Sequence, residues 1–318
     1  MKLLWLVTCV ALCAQPKQYE CHRATPTVKI DGHLDDAAWA KAAWTDAFVD
    51  IQGEDHPKPR FCTRAKMLWD DDYLYIAAEL EEPDVWATLT AHDSVIFRDN
   101  DFEVFLNPTG DTLKYFEFEI NALNTGWDLF LPKPYNKGGS ADNSWEMPGY
   151  KSAVAIDGTL NDPRDRDKGW SVELALPWSA FVDRSGKGRP KPGDSWRMNF
   201  SRVEWQVRVA DGKYEKLPGL KEDNWVWSPQ GVVNMHVPEK WGVVRFLKLW
   251  SCRRKCNFEA QSCGRSSTWR KLALDRPMRS SPIPNLRLTI GRPPNLGNRP
   301  PAWYPQKLGV TPITLGNY

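Results

Sequence analysis

Ser94-Val-Ile-Phe-Arg-Asp-Asn-Asp-Phe-Glu-Val-Phe-Leu-Asn-Pro108 decides the fold class. From Asp101 onward its side chains alternate, as on a β-strand. Phe102, Val104 and Leu106 point one way, and Asp101, Glu103 and Phe105 the other. Such a strand offers one apolar face to a core and keeps an acidic, aromatic face for another use. Phe116-Glu-Phe-Glu-Ile-Asn121 repeats the pattern, with Phe116, Phe118 and Ile120 opposed to Glu117, Glu119 and Asn121. If the two strands are neighbours, Glu103, Glu117, Glu119 and Asn121 make one polar patch. Arg202 and Glu204, on a strand over 196–207, are expected to join it and neutralise part of its charge. Phe97, Phe105 and Trp227 are expected at its rim. Rings stack on C–H faces and carboxylates accept bonds from hydroxyls, so this chemistry suits a polyhydroxylated ligand. A merely solvated sheet face is the plain alternative.

Around this stretch, residues 27–246 read as many short strands separated by turns. Val28-Lys-Ile-Asp-Gly32 is a strand ending in a turn, and residues 65–69 and 73–79 flank the turn Asp70-Asp-Asp72. Later strands are expected at 151–156, 170–176 and 241–246 as well as 196–207. Residues 35–44, opening on an aspartate that can cap free N–H groups, read as a short helix. The pattern predicts an all-β fold, an antiparallel β-sandwich with one or two short helices, formed by residues 15–246 as one domain.

The chain has 318 residues and 17 Trp, 13 of them between positions 15 and 246, enough for a core and for binding surfaces. Its net charge of +2 hides a split: residues 247–318 carry 13 Lys and Arg against only Glu259 and Asp275, which leaves the body acidic. An acidic body argues against nucleic acid as a partner. Met1-Lys2 followed by an apolar run to Ala14 reads as a secretory signal over 1–14, too short to span a bilayer, so the protein is expected to be secreted or periplasmic. Cys13 is an alternative site for a lipid anchor. Cys21 and Cys62 could pair after export or remain free thiols. Cys252, Cys256 and Cys263 lack a nearby His and make a poor zinc set. The Pro- and Arg-rich stretch 247–318 reads as a disordered basic tail or the product of a reading-frame shift.

Enzyme signatures are missing: there is no G-x-S-x-G, phosphate loop, dinucleotide turn or H-E-x-x-H, and no catalytic residue is assigned. The five His have no metal-ligand spacing, so no metal ligand is assigned either. Paired strand carboxylates could alternatively run glycoside hydrolysis. Asp70–Asp72 and Asp99 with Asp101 could hold a structural Ca²⁺, although an Asp-rich turn is more often only a turn.

Several motifs in order resemble carbohydrate-binding module family 9: Val28-Lys-Ile-Asp-Gly32 with Asp35-Asp36 and Trp39, Leu68-Trp-Asp-Asp-Asp-Tyr-Leu-Tyr75, Asn100-Asp-Phe-Glu-Val-Phe105, Gly169-Trp-Ser-Val-Glu173 with Pro177, and Trp227-Ser-Pro with Pro238-Glu-Lys-Trp-Gly242. The resemblance runs from Tyr19 to Phe246 and is closest to secreted bacterial proteins of this type. It implies an immunoglobulin-like sandwich related to the DOMON group, no cofactor, and non-catalytic binding of a carbohydrate or polysaccharide in support of polysaccharide breakdown. In the family two aromatic side chains clamp a sugar. By this resemblance Glu103 and Asn121 fall on binding positions, and Glu119 stands where the family has an arginine. Phe97 replaces the first clamp Trp, and the second clamp falls near Met235 or His236. Related sandwich domains bind haem b through Met and His or Lys. That makes Met235 or His236, with Met67 as partner, a rival reading as an electron carrier.

Overall fold

The computed structural model describes residues 15–248. The expected signal over 1–14, the tail from 249 onward and their cysteines lie outside the described residues. The strands are β1 (Gln18–Arg23), β2 (Val49–Asp50), β3 (Thr63–Trp69), β4 (Tyr73–Glu81), β5 (Asp101–Asn107), β6 (Tyr115–Asn121) and β7 (Gly126–Leu131). They continue with β8 (Lys151–Asp157), β9 (Gly169–Pro177), β10 (Ser195–Glu204), β11 (Val207–Ala210), β12 (Lys213–Lys216), β13 (Asp223–Val226) and β14 (Gly242–Phe246). One four-residue helix, α1 (Val182–Ser185), accompanies them.

Ten strands form one curled sheet in the order β7-β6-β5-β10-β14-β1-β3-β4-β9-β8, with β13 also paired to β10 and β2 paired to β13. The curl brings its two halves face to face, which is the expected sandwich. Phe102, Val104 and Leu106 of β5, Phe116 and Phe118 of β6 and Phe200 of β10 share one core with Met67 of β3, Ile76 of β4 and Leu174 of β9. The alternation in β5 and β6 therefore assigns their inner faces correctly. The sheet is mixed where a purely antiparallel one is expected. β1 runs parallel to β14 through Gln18–Cys21 and parallel to β3 through His22 and Arg23. Parallel neighbours need no hairpin, so no turn signal announces them.

The recurring sequence motifs meet at one carboxylate. Glu173 Oε2 accepts the N–H groups of Asp31 and Gly32, and Oε1 accepts Trp39 Nε1 at 2.6 Å. Gly32 has φ +85°, and a Cβ there would stand 2.6 Å from the Val154 carbonyl carbon, so this turn needs glycine. Glu173→Gln would set an amide N–H₂ against donors and is expected to cost about 2 kcal/mol in urea denaturation.

Residues 35–44 contain only a 3₁₀ turn at Trp39–Lys41 with no side-chain cap. The Asp36 carboxylate instead accepts the Lys29 N–H at 2.7 Å. Cys21 is a free, buried thiol, so the Cys21–Cys62 pairing does not form. Two of the candidate calcium carboxylates, Asp70 and Asp99, are consumed by local structure. Asp70 accepts the N–H groups of Asp72 and Tyr73 and the Tyr75 hydroxyl. Asp99 accepts bonds from Thr88, Leu89 and Asn121. Of the described Trp, only Trp44, Trp127 and Trp205 are not buried, so most of the tryptophan content serves the core. Among the described residues no helix is long and apolar enough to cross a membrane.

Candidate functional site

The site is the sheet face opposite the core, where β7, β6, β5 and β10 lie side by side. Register places Glu103 between Glu119 and Ser201, and Phe105 between Glu117 and Asn199. β7 adds Trp127 beside Glu119 and Leu129 beside Glu117. Strand parity thus gathers Asp101, Glu103, Glu117 and Glu119 on one face, each at most 5% exposed. Carboxylate oxygens of Asp101, Glu103 and Glu119 all lie within 4.8 Å of one another. None of the four acids forms an ion pair among the described residues. Asp101 Oδ2 and Glu117 Oε2 are buried without any hydrogen-bond partner there. Such a set can be satisfied by hydroxyl donors or by a cation.

Aromatic rings stand on either side of the acids. Phe97, 39% exposed, lies 6.3 Å from Trp127 at an interplanar angle of 34°. Its N–H donates to Glu119 Oε2 at 2.9 Å, and its carbonyl accepts Trp205 Nε1. Tyr135, 44% exposed, meets His236 edge to face at 4.5 Å. His236 Nδ1 shares a 2.9 Å hydrogen bond with the Tyr115 hydroxyl. Below these rings, Phe105, Tyr115, Met235 and Trp241 form a second apolar cluster.

Burial raises all four carboxyls. Glu103 is pushed up to about 7, and the charges of neighbouring acids lift Asp101, Glu117 and Glu119 further above the ordinary range. An acid with a raised pKa binds more protons folded than unfolded, so stability falls as pH rises through that interval. His236, driven down to about 4 by burial, opposes this only below its ordinary 6.5. His92, whose acidic neighbours outweigh its burial, acts with the acids. Stability measured by urea denaturation should therefore rise as pH drops from 8 to 6.5, by about 1 kcal/mol from Glu103 alone.

Glu103, Glu117, Glu119 and Phe97 lie together as the alternation predicts. Arg202 and Glu204 do not join them. They share the inner face of β10 with Phe200, where Arg202 is fully buried and pairs with Glu82 and Glu204. Trp227 is also inside, packed on Tyr19 and Phe200, because it too points toward the core. Asn121 faces the site side but has no amide group to spare: Nδ2 donates to Leu89 and Asp99, and Oδ1 accepts from Leu123 and Thr125. Met235 packs under Trp241, leaving His236 as the member of that pair beside the exposed Tyr135 ring. Met67 lies in the main core rather than in Met235's cluster, so the haem ligand set is not assembled. Asp101, placed by alternation on the same face as Glu103, belongs with the buried acids, and Trp127 and Tyr135 add rings that no sequence pattern points to. Trp127 sits on a strand whose other face mixes Gly126, Asp128 and Phe130 and so shows no clean alternation, although the turn Asn124-Thr-Gly126 marks where it starts.

A family model described as carbohydrate family 9 binding domain-like matches residues 30–246. The exoglucanase XynX of Acetivibrio thermocellus is 26% identical over 160 residues, covering 50% of this chain and 12% of that enzyme. The endo-1,4-β-xylanase A of Thermoanaerobacterium saccharolyticum is 26% identical over 121 residues, covering 38% of this chain and 9% of the enzyme. The matches thus span only about a tenth of the length of these curated relatives. The crystal structure of a candidate carbohydrate-binding protein of Bacteroides uniformis shares the fold, with TM-score 0.54 and 18% identity over 73% of this chain and 100% of that one.

Proposed function

Because the chain belongs to the carbohydrate family 9 binding domain-like family, we propose that the acidic face of β5 and β6 binds a saccharide without cleaving it. The observation that carries this reading is the pair of buried, unpartnered oxygens, Asp101 Oδ2 and Glu117 Oε2, beside the Phe97–Trp127 ring pair. Sugar hydroxyls supply the missing donors, and sugar C–H faces suit the rings. Glu119 positions the site by fixing the Phe97 backbone. The names of the curated relatives make β-glucan and β-1,4-xylan fragments the first ligands to try, and binding them would serve polysaccharide breakdown. The apolar run at residues 3–14 supports export, which fractionation of expressing cells tests.

Titration calorimetry with glucose, xylose and their β-1,4-linked oligosaccharides tests the assignment. Saturable heat is expected from at least one of these series. No heat from any of them, with the fold intact, overturns the reading. Phe97→Ala and Trp127→Ala should each weaken binding by about 1–2 kcal/mol, near tenfold, through lost stacking.

A further inference from the structure

We propose that His92, Asp128 and Glu146 form a binding site for a divalent transition-metal ion of the Zn²⁺ class, on the side of β7 away from the saccharide face. Residues 92, 128 and 146 come from the loop before β5, from β7 and from the segment before β8. Their ligand atoms lie within 4.8 Å of one another. His92 Nδ1 stands 2.9 Å from the Gly126 carbonyl. A carbonyl only accepts, so Nδ1 carries a proton and the neutral ring keeps its lone pair on Nε2. A backbone carbonyl is a common orienting partner for a metal-binding histidine.

The distances suit four-coordinate geometry. Nε2 lies 3.2 Å from Glu146 Oε2 and 3.3 Å from Asp128 Oδ1. The edge of a tetrahedron with bonds of about 2.0–2.1 Å is about 3.3–3.4 Å. Asp93 Oδ1, 3.4 Å from Nε2, is a further neighbour. An independent sign comes from Asp128, which is fully buried. Its Oδ2 accepts the Met147 N–H, but Oδ1 has no hydrogen-bond partner among the described residues and faces the cluster. One imidazole with carboxylates favours Zn²⁺ and its neighbours over Ca²⁺, which takes six to eight oxygens. The bound ion would tie the loop that carries Phe97 to the strand that carries Trp127.

The rival is an imidazolium held by ion pairs alone, and metal binding separates the two. Tag-free full-length protein, stripped with EDTA and dialysed, is titrated with ZnCl₂ and, in parallel, CaCl₂. One equivalent of Zn²⁺ should bind and raise Tm, with His92→Gln and Asp128→Asn each weakening Zn²⁺ at least tenfold. Glu146→Gln keeps the test clean, since that side chain is 60% exposed and its loss should not disturb the fold. Its circular dichroism should be unchanged while its Zn²⁺ affinity falls. Absence of Zn²⁺ binding, Zn²⁺ binding indifferent to all three substitutions, or a preference for Ca²⁺ would overturn the proposal.

Discussion

Arg202→Ala is expected to cost about 3–5 kcal/mol, enough to leave much of the protein unfolded at growth temperature. The guanidinium is fully buried between Glu82 and Glu204, each 2% exposed. Nη2 donates to Glu82 at 2.6 Å and to Glu204 at 2.8 Å, Nε also donates to Glu204, and Nη1 donates to Thr63 Oγ1 and the Glu81 carbonyl. Its Cζ lies 5.2 Å from the centroid of the Trp225 ring. Truncation leaves two carboxylates facing one another in the core with no cation between them, and that desolvated repulsion exceeds the lost packing. Arg202→Lys restores charge without the planar fork and should recover only part of the loss. Arg202→Met combined with Glu82→Gln and Glu204→Gln removes the charges together and should be markedly more stable than Arg202→Ala. Urea denaturation of the set checks the order. A loss below 1 kcal/mol for Arg202→Ala would show that water reaches the cluster.

Glu103→Gln is expected to move stability and saccharide affinity in opposite directions. At pH 8 the wild-type carboxyl, with its pKa near 7, is largely ionised among three other buried acids. Replacing it with a neutral amide removes that repulsion and should add about 1–3 kcal/mol of stability. The same change removes a charged hydroxyl acceptor, worth about 1.5–3 kcal/mol, so affinity should fall at least tenfold. The opposed signs identify a group held at a cost for binding. If both quantities fall, Glu103 is structural; if affinity is unchanged, the ligand does not reach it. Calorimetry and denaturation on the same preparation decide.

The alternation of β5 and β6 was enough to bring Glu103, Glu117 and Glu119 together, because period two fixes the face once an apolar set fixes the core. The same rule would have placed Arg202 correctly. Arg202 shares parity with the core residues Met198 and Phe200, which outweighs the expectation that its charge would neutralise the acidic patch. Asn121 was also on the right face, but sequence does not say whether a side chain is already spent on its own turn. Tyr135 sits in a 3₁₀ turn after β7, where no periodicity points to a partner. His92, Asp128 and Glu146 come from separate segments and become neighbours only through the hairpin of β6 and β7 and the return of the chain beside it.

The position of β1 has a consequence for how the protein is made. Gln18 pairs with Val243, so the first strand of the sheet waits for the last before it gains that neighbour, while its far end already lies against β3. Closure of the sheet is therefore deferred until Gly242–Phe246 has left the ribosome, and such long-range pairing is slow. A chain released before Gly242 would carry an unpaired β1 edge open to association with other strands.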